Sequence, residues 1–147
     1  MKKVLKILAI ILLVLVLVVA AIMIYVKTAL PNVGEASELK IEITPERLAR
    51  GKYLANHVAL CTDCHSTRDW TKFAGPTVPG TSGAGGEIFD QIMGFPGSYH
   101  ARNITPFGLE DWTDGEIFRA ITSGVSKDGV ALLPIMPYLL HSDLHLL

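Results

Sequence analysis

The apolar and polar positions divide the chain into a long hydrophobic run and a mixed remainder. Ile7 to Val26 is 20 residues without a charge, preceded by Lys2, Lys3 and Lys6 and closed by Lys27. That is the length of helix that crosses a bilayer. Lysines on its N-terminal flank predict that this end stays in the cytoplasm and that everything after Lys27 lies on the far side. A cleaved secretory signal is the competing explanation, with Ala20 and Ala21 as small residues for its processing site. The apolar run continues through Ile22-Met23-Ile24-Tyr25-Val26, longer than a signal core, which favours a retained anchor. Both explanations export the rest of the chain.

Residues 28–43 sustain no apolar period and are broken by Pro31 and Gly34, so they read as a linker between the anchor (1–27) and one small domain (44–147). Thr44-Pro45-Glu46 predicts a helix start: a hydroxyl cap, a proline whose missing N–H is harmless at the first position, and an acid favoured by the helix dipole. The helix is expected to run to about Ala59, with Leu48, Gly51, Leu54 or Ala55, and Val58 on one face and Tyr53 beside them. Gly51 on that face predicts the close approach of another backbone or helix. Thr113 and Glu116 form a capping box ahead of Ile117, Phe118 and Ile121, and Gly124 is the natural stop of this second helix.

Between Ser66 and Ala101 the periodicity disappears into seven glycines and three prolines. Trp70, Phe73, Phe89, Phe95 and Tyr99 are interleaved through this stretch, which predicts an ordered loop wrapped around a cofactor, because disordered segments lack such aromatics. The fold class expected is therefore mostly α, with long Gly/Pro-rich loops.

Charge modifies this outline only modestly. The whole chain has formal net charge −1, but after Lys27 nine basic residues stand against fourteen acidic ones, leaving the exported part at −5. An acidic domain argues against nucleic acid as a partner.

The chemistry is concentrated in Cys61-Thr62-Asp63-Cys64-His65, which contains the only two cysteines. This is the spacing of c-type haem attachment: two thiols three positions apart add to the vinyl groups of one haem, and the following imidazole becomes an axial ligand of its iron. A dithiol redox centre would want a βαβ context and has no use for the histidine. A structural zinc site needs four ligands, and no second Cys/His cluster at ligand spacing is present. Downstream, Met136 stands between Pro134 and Pro137. A thioether on so stiff a segment suits a second axial ligand, although buried methionine is more often core filler. Met93, in Ile92-Met93-Gly94-Phe95-Pro96, reads as the gap-filling methionine. His57, His100, His141 and His145 read as solvated or satisfied side chains.

With the haem motif, Gly75-Pro76, Asn103-Ile104-Thr105-Pro106, Trp112-Thr113-Asp114-Gly115-Glu116 and Met136-Pro137-Tyr138 in order, the chain resembles a class I, single-haem cytochrome c. It is similar in particular to the cytochrome domains and subunits of membrane-bound alcohol and sugar dehydrogenases. The resemblance runs from about Thr44 to Tyr138. It implies one haem c held by Cys61 and Cys64, with iron ligated by His65 and Met136. It implies further that the Pro76 carbonyl accepts the other N–H of His65, and it makes Asn103, Trp112 and Tyr138 candidates for polar contacts near the haem propionates or the methionine loop, against plain packing. Val78 departs from the leucine usual at its position. Ser142 to Leu147 resembles only the cap and first turn of the family's C-terminal helix, so that helix is expected to be truncated.

Together these features predict a membrane-anchored carrier of single electrons on the periplasmic side of a bacterial cytoplasmic membrane, exchanging them with a dehydrogenase, an oxidase or another cytochrome. No catalytic constellation is apparent in the sequence, and no small-molecule substrate is expected. The alternatives are a haem subunit working only inside a dehydrogenase or oxidase complex, and a sensor or enzyme whose sixth iron position is open.

Overall fold

The uncharged run sets the first helix, and the helix outgrows it. The computed structural model describes residues 2–138. In it α1 spans Lys2–Ala29, 28 residues, taking in the flanking lysines and Thr28, whose hydroxyl bonds back to the Ile24 carbonyl at 2.8 Å. At the usual rise this is about 42 Å, against roughly 30 Å for a bilayer's hydrocarbon core. None of its residues is buried against the rest of the described chain. It is long and apolar enough to cross a membrane, and a signal sequence would meet the same test.

The chain forms two compact units, the first of which includes α1. One takes in the chain up to Ser37 together with the stretch from Phe118 onward; the other is Glu38–Ile117. The boundary falls inside α4, Asp114–Ser123. This helix begins as its sequence predicts: the Glu116 carboxylate accepts the Thr113 N–H at 2.8 Å, and the Thr113 hydroxyl accepts the Glu116 N–H at 3.2 Å.

In the first unit, α4 stops at Gly124, which takes a left-handed conformation (φ +66°) that a side chain would resist. The Tyr138 ring packs so closely that a Cβ on Gly124 would lie 2.6 Å from it. Val125 and Ala131 then bridge antiparallel around a tight turn closed by Ser126 and Val130. Arg119 ties the pieces together, donating to the carbonyls of Gly34 (3.2 Å), Ser126 (2.8 Å) and Lys127 (3.2 Å). Ala120 and Val125 are the buried apolar residues among those described.

In the second unit the linker is pinned, because the Ile41 N–H donates to the Asp114 carboxylate at 2.7 Å. Residues 28–43, expected as a linker, are irregular and are held at Gly34 and Ile41. α2 spans Pro45–Tyr53, with Pro45 in its first turn and the Thr44 hydroxyl accepting the Arg47 N–H at 3.3 Å. The helix then widens into a π turn, Leu54–Val58, closed by Ala59 N–H to Leu54 carbonyl at 2.8 Å, so helical backbone reaches the predicted end by a different path. The expected face is mostly open: Leu48 is 66% exposed, and nothing among the described residues approaches the position of a Gly51 Cβ. The C-terminal helix expected to cross there lies outside the described residues.

The glycine-rich stretch is a succession of turns and bends, and it contains a short hairpin that the sequence pattern did not announce. β1 (Ile88–Phe89) pairs antiparallel with β2 (Tyr99–His100), with the 3-10 turn Gln91–Met93 between them. Phe89 and Phe95 meet edge to face at 5.8 Å. Trp70 lies under the Arg68 guanidinium at 4.6 Å and donates its indole N–H to Glu87 at 3.0 Å. Phe73 is 99% exposed.

Candidate haem attachment site

The Cys-x-x-Cys-His segment forms a single helical turn, α3 (Cys61–Cys64), with His65 as its C-terminal residue. Two features upstream aim this turn. Leu60 takes a left-handed conformation (φ 52°), unusual for a branched side chain, and redirects the chain between the π turn and α3. Asn56 then bridges the two: its amide donates to the Lys52 carbonyl at 2.7 Å and its oxygen accepts the Thr62 hydroxyl at 2.9 Å. One turn of helix puts residues three apart on the same side, so both thiols face one way.

Both cysteines are free thiols. Burial, its largest cause, pushes the pKa of each up; Cys61 also feels Cys64, and Cys64 feels the carboxylates of Asp63 and Glu87, with Arg68 opposing. A dithiol that works by exchange needs a lowered pKa, supplied by neighbouring cations or a helix N-terminus. Here burial acts in the other direction on both thiols, which weighs against the redox-dithiol alternative.

His65 is held on its Nδ1 side, where the Arg102 carbonyl oxygen lies at 2.7 Å. A carbonyl can only accept, so Nδ1 carries the proton and Nε2 keeps the free lone pair, the form in which an imidazole ligates a metal. The resemblance assigned this acceptor to Pro76. In the structure the Pro76 carbonyl takes the Asp69 N–H at 2.9 Å, closing the loop bridged at Arg68 and Thr77, and it is the Arg102 carbonyl that meets His65 Nδ1. The physical reason is the path of the glycine-rich loop, which brings residues 101–105 against the haem motif.

That path is traceable bond by bond. The Ser66 hydroxyl, fully buried, accepts the Gly83 N–H at 3.1 Å; the His65 carbonyl accepts the Gly85 N–H at 2.8 Å; and the Gly83 carbonyl accepts the Ile104 N–H at 2.8 Å. Asn103 turns the segment, its side-chain oxygen accepting from the Thr105 N–H (2.8 Å) and hydroxyl (2.6 Å). Arg102, Ser66 and Gly85 escaped the sequence reading. The only signal for them was the Gly85-Gly86 pair, since a carbonyl's role leaves no trace in residue type.

The remaining predicted residues are placed as follows. Asn103 lies beside Arg102, its side-chain oxygen occupied by Thr105. Trp112 is half-buried, its backbone N–H closing a turn onto Leu109 at 2.9 Å. In the other unit, Met136 ends the turn that begins at Pro134, its N–H bonded to the Leu133 carbonyl at 3.2 Å, and Tyr138 packs on Gly124. Met93 closes the 3-10 turn and is half-exposed. His57 stacks on Tyr53, and His100 meets the Ser98 hydroxyl at 3.4 Å; His141 and His145 lie outside the described residues. Among the described residues no three His, Cys, Asp or Glu side chains cluster as a metal-binding group. The donor set at α3 fits a haem: two thiols on one side of a turn and an imidazole with its Nε2 lone pair free.

Comparison with known proteins points the same way. The gluconate 2-dehydrogenase cytochrome c subunit of Pantoea cypripedii is 33% identical over 92 residues, 60% of this chain and 18% of that protein. The cytochrome c subunit of the quinone alcohol dehydrogenase of Gluconacetobacter polyoxogenes is 30% identical over 122 residues, 81% of this chain and 22% of that protein. Its counterpart in Gluconobacter oxydans is 31% identical over 94 residues, 62% of this chain and 17% of that protein. No family model matches. The chain's homologues are thus cytochrome c subunits of dehydrogenases, the group its motifs resemble. It spans about a fifth of the length of these relatives.

Proposed function

We propose that the protein is a c-type cytochrome that carries single electrons, with one haem bound through Cys61 and Cys64 and its iron ligated by His65 and Met136. The observation that carries this reading is α3 itself, with two thiols on one helical turn and a histidine at its end whose Nδ1 is already engaged. When bound, the haem supplies reversible one-electron chemistry at its iron. The chain's part is to tether, orient and tune. Cys61 and Cys64 would hold the porphyrin through thioether bonds, the Arg102 carbonyl would keep the His65 imidazole oriented and more basic, and Met136 would supply a thioether that raises the potential.

In this reading α1 anchors the protein in a bacterial cytoplasmic membrane with the haem on the periplasmic side, near membrane-bound redox partners. A second reading, favoured by the names of the relatives, makes the chain a haem subunit of a dehydrogenase complex, receiving electrons from a catalytic subunit. Both readings need a covalent, electron-exchanging haem. The test is the spectrum of the purified protein, which should change reversibly between oxidised and reduced forms and be unaffected by carbon monoxide. A reduced form that binds carbon monoxide would point to an open sixth position. Isolation from the native membrane then separates the two readings: copurification with a dehydrogenase subunit supports the second, and a lone cytochrome supports the first.

A further inference from the structure

The bond between His65 and Arg102 depends on a residue that touches neither side chain. Gly85 lies where the glycine-rich loop passes between the haem motif and residues 101–103. Its N–H is bonded to the His65 carbonyl, and a Cβ there would meet the Ala101 carbonyl oxygen at 2.7 Å, the Arg102 carbonyl carbon at 3.0 Å and the Asn103 nitrogen at 3.0 Å. These are backbone atoms of the carbonyl that holds Nδ1 and of its immediate neighbours, so relieving the collision would displace either that carbonyl or Gly85, whose N–H is bonded to His65. Gly83, two residues earlier, has a similar left-handed φ (+74° against +82°), but its Cβ would make only ordinary contacts, with the Thr105 and Ile104 side chains at 3.5 and 3.6 Å and the Thr105 nitrogen at 4.0 Å.

We infer that Gly85 is a positioning residue for the axial histidine: its missing side chain sets the distance between the Arg102 carbonyl and His65 Nδ1, and through that bond the electron donation of His65 to iron. This rests on His65 being a haem ligand, as proposed above. A strong bond from Nδ1–H to a carbonyl makes the imidazole more basic and favours the oxidised iron. Lengthening it therefore raises the reduction potential and exposes the Nδ1 proton to solvent exchange.

The experiment compares Gly85→Ala with Gly83→Ala in the full-length, haem-loaded protein. Both substitutions carry the strain of a left-handed alanine, and only the first pushes on residues 101–103. Gly85→Ala should raise the reduction potential and speed exchange of the His65 Nδ1 proton, seen by NMR, by about tenfold, the factor that loss of an ordinary hydrogen bond implies. Gly83→Ala should leave both near the wild-type values. Equal shifts in the two variants, or none in Gly85→Ala, would overturn the inference while leaving the haem assignment standing. If Gly85→Ala takes up no haem, Ser66→Ala decides. It frees Gly83 and slackens the same loop without a clash, so faster Nδ1 exchange supports the inference and unchanged exchange rejects it. A wild-type protein with no histidine-ligated haem would remove the proposed function and this inference with it.

Discussion

The Nδ1 atom of His65 lies 2.7 Å from the carbonyl oxygen of Arg102, a residue 37 positions further along the chain. A local motif and a remote loop thereby become one device. The five residues of the motif bring the imidazole to the end of α3, and the glycine-rich loop fixes its tautomer and orientation. Without the loop the His65 ring could rotate, and a rotating ring would serve less well in the ligand role proposed for it.

The sixth ligand proposed for the iron distinguishes Met136 from Met93. Met136 is bounded by Pro134 and Pro137, so little chain entropy is lost when its thioether is held on iron. Met93 closes a 3-10 turn and is 52% exposed. Met136→Ala is expected to lower the reduction potential and open the iron to carbon monoxide or imidazole, whereas Met93→Leu should do neither. Titration of each variant with imidazole checks this, and a reversed pattern would assign the ligand to Met93.

Arg119 predicts a stability effect independent of the haem motif. Its guanidinium holds the carbonyls of Gly34, Ser126 and Lys127. Arg119→Ala should destabilise the protein by about 2 kcal/mol, the scale of hydrogen bonds to a charged group. Arg119→Lys should recover little of this, because an ammonium cannot span the same carbonyls in the planar fork geometry. Chemical denaturation of both variants measures the loss.

The thiols give a pH dependence in the haem-free protein. The pKa of each is raised in the folded chain, chiefly by burial, so folding favours the protonated form. Their contribution to stability is therefore complete below the unfolded thiol pKa and is lost as pH rises through the higher folded value. Alkylation follows the thiolate, so both cysteines should react more slowly than a free thiol at neutral pH and converge with it only in alkali. Reaction with iodoacetamide across pH, in native buffer and in denaturant, measures this; faster reaction in native buffer at neutral pH would contradict the assigned direction.

The topology of α1 is open to direct test. With Lys2, Lys3 and Lys6 retained in the cytoplasm, the protein should fractionate with membranes and begin at or near Met1. N-terminal sequencing that starts near Ala21, with the haem protein in the soluble fraction, would show a cleaved signal instead.

Much of this was legible in the sequence because it depends on local patterning. The uncharged run gave α1, Thr44-Pro45 and Thr113–Glu116 gave the starts of α2 and α4, and Gly124 gave the stop of α4. The attachment motif and the kinship with dehydrogenase cytochromes were legible for the same reason. Non-local features were not. The Arg102 carbonyl that orients His65 is a backbone group, which any residue could supply, and it is chosen by where the loop runs. The π turn at Leu54–Val58 is a change of hydrogen-bond partner within helical backbone, which no residue type here announces. The pinned linker depends on Asp114 and Arg119, 73 and 85 residues from the positions they hold.

The central claim is that the two thiols carry a haem covalently, and the intact mass of the purified chain tests it most directly. The chain should weigh its own mass plus one haem after denaturation and acid-acetone extraction, and Cys61→Ala with Cys64→Ala should leave the bare polypeptide. An unmodified mass for the wild-type chain, from cells competent to attach haem, would contradict the account, as would haem surviving extraction from the double variant.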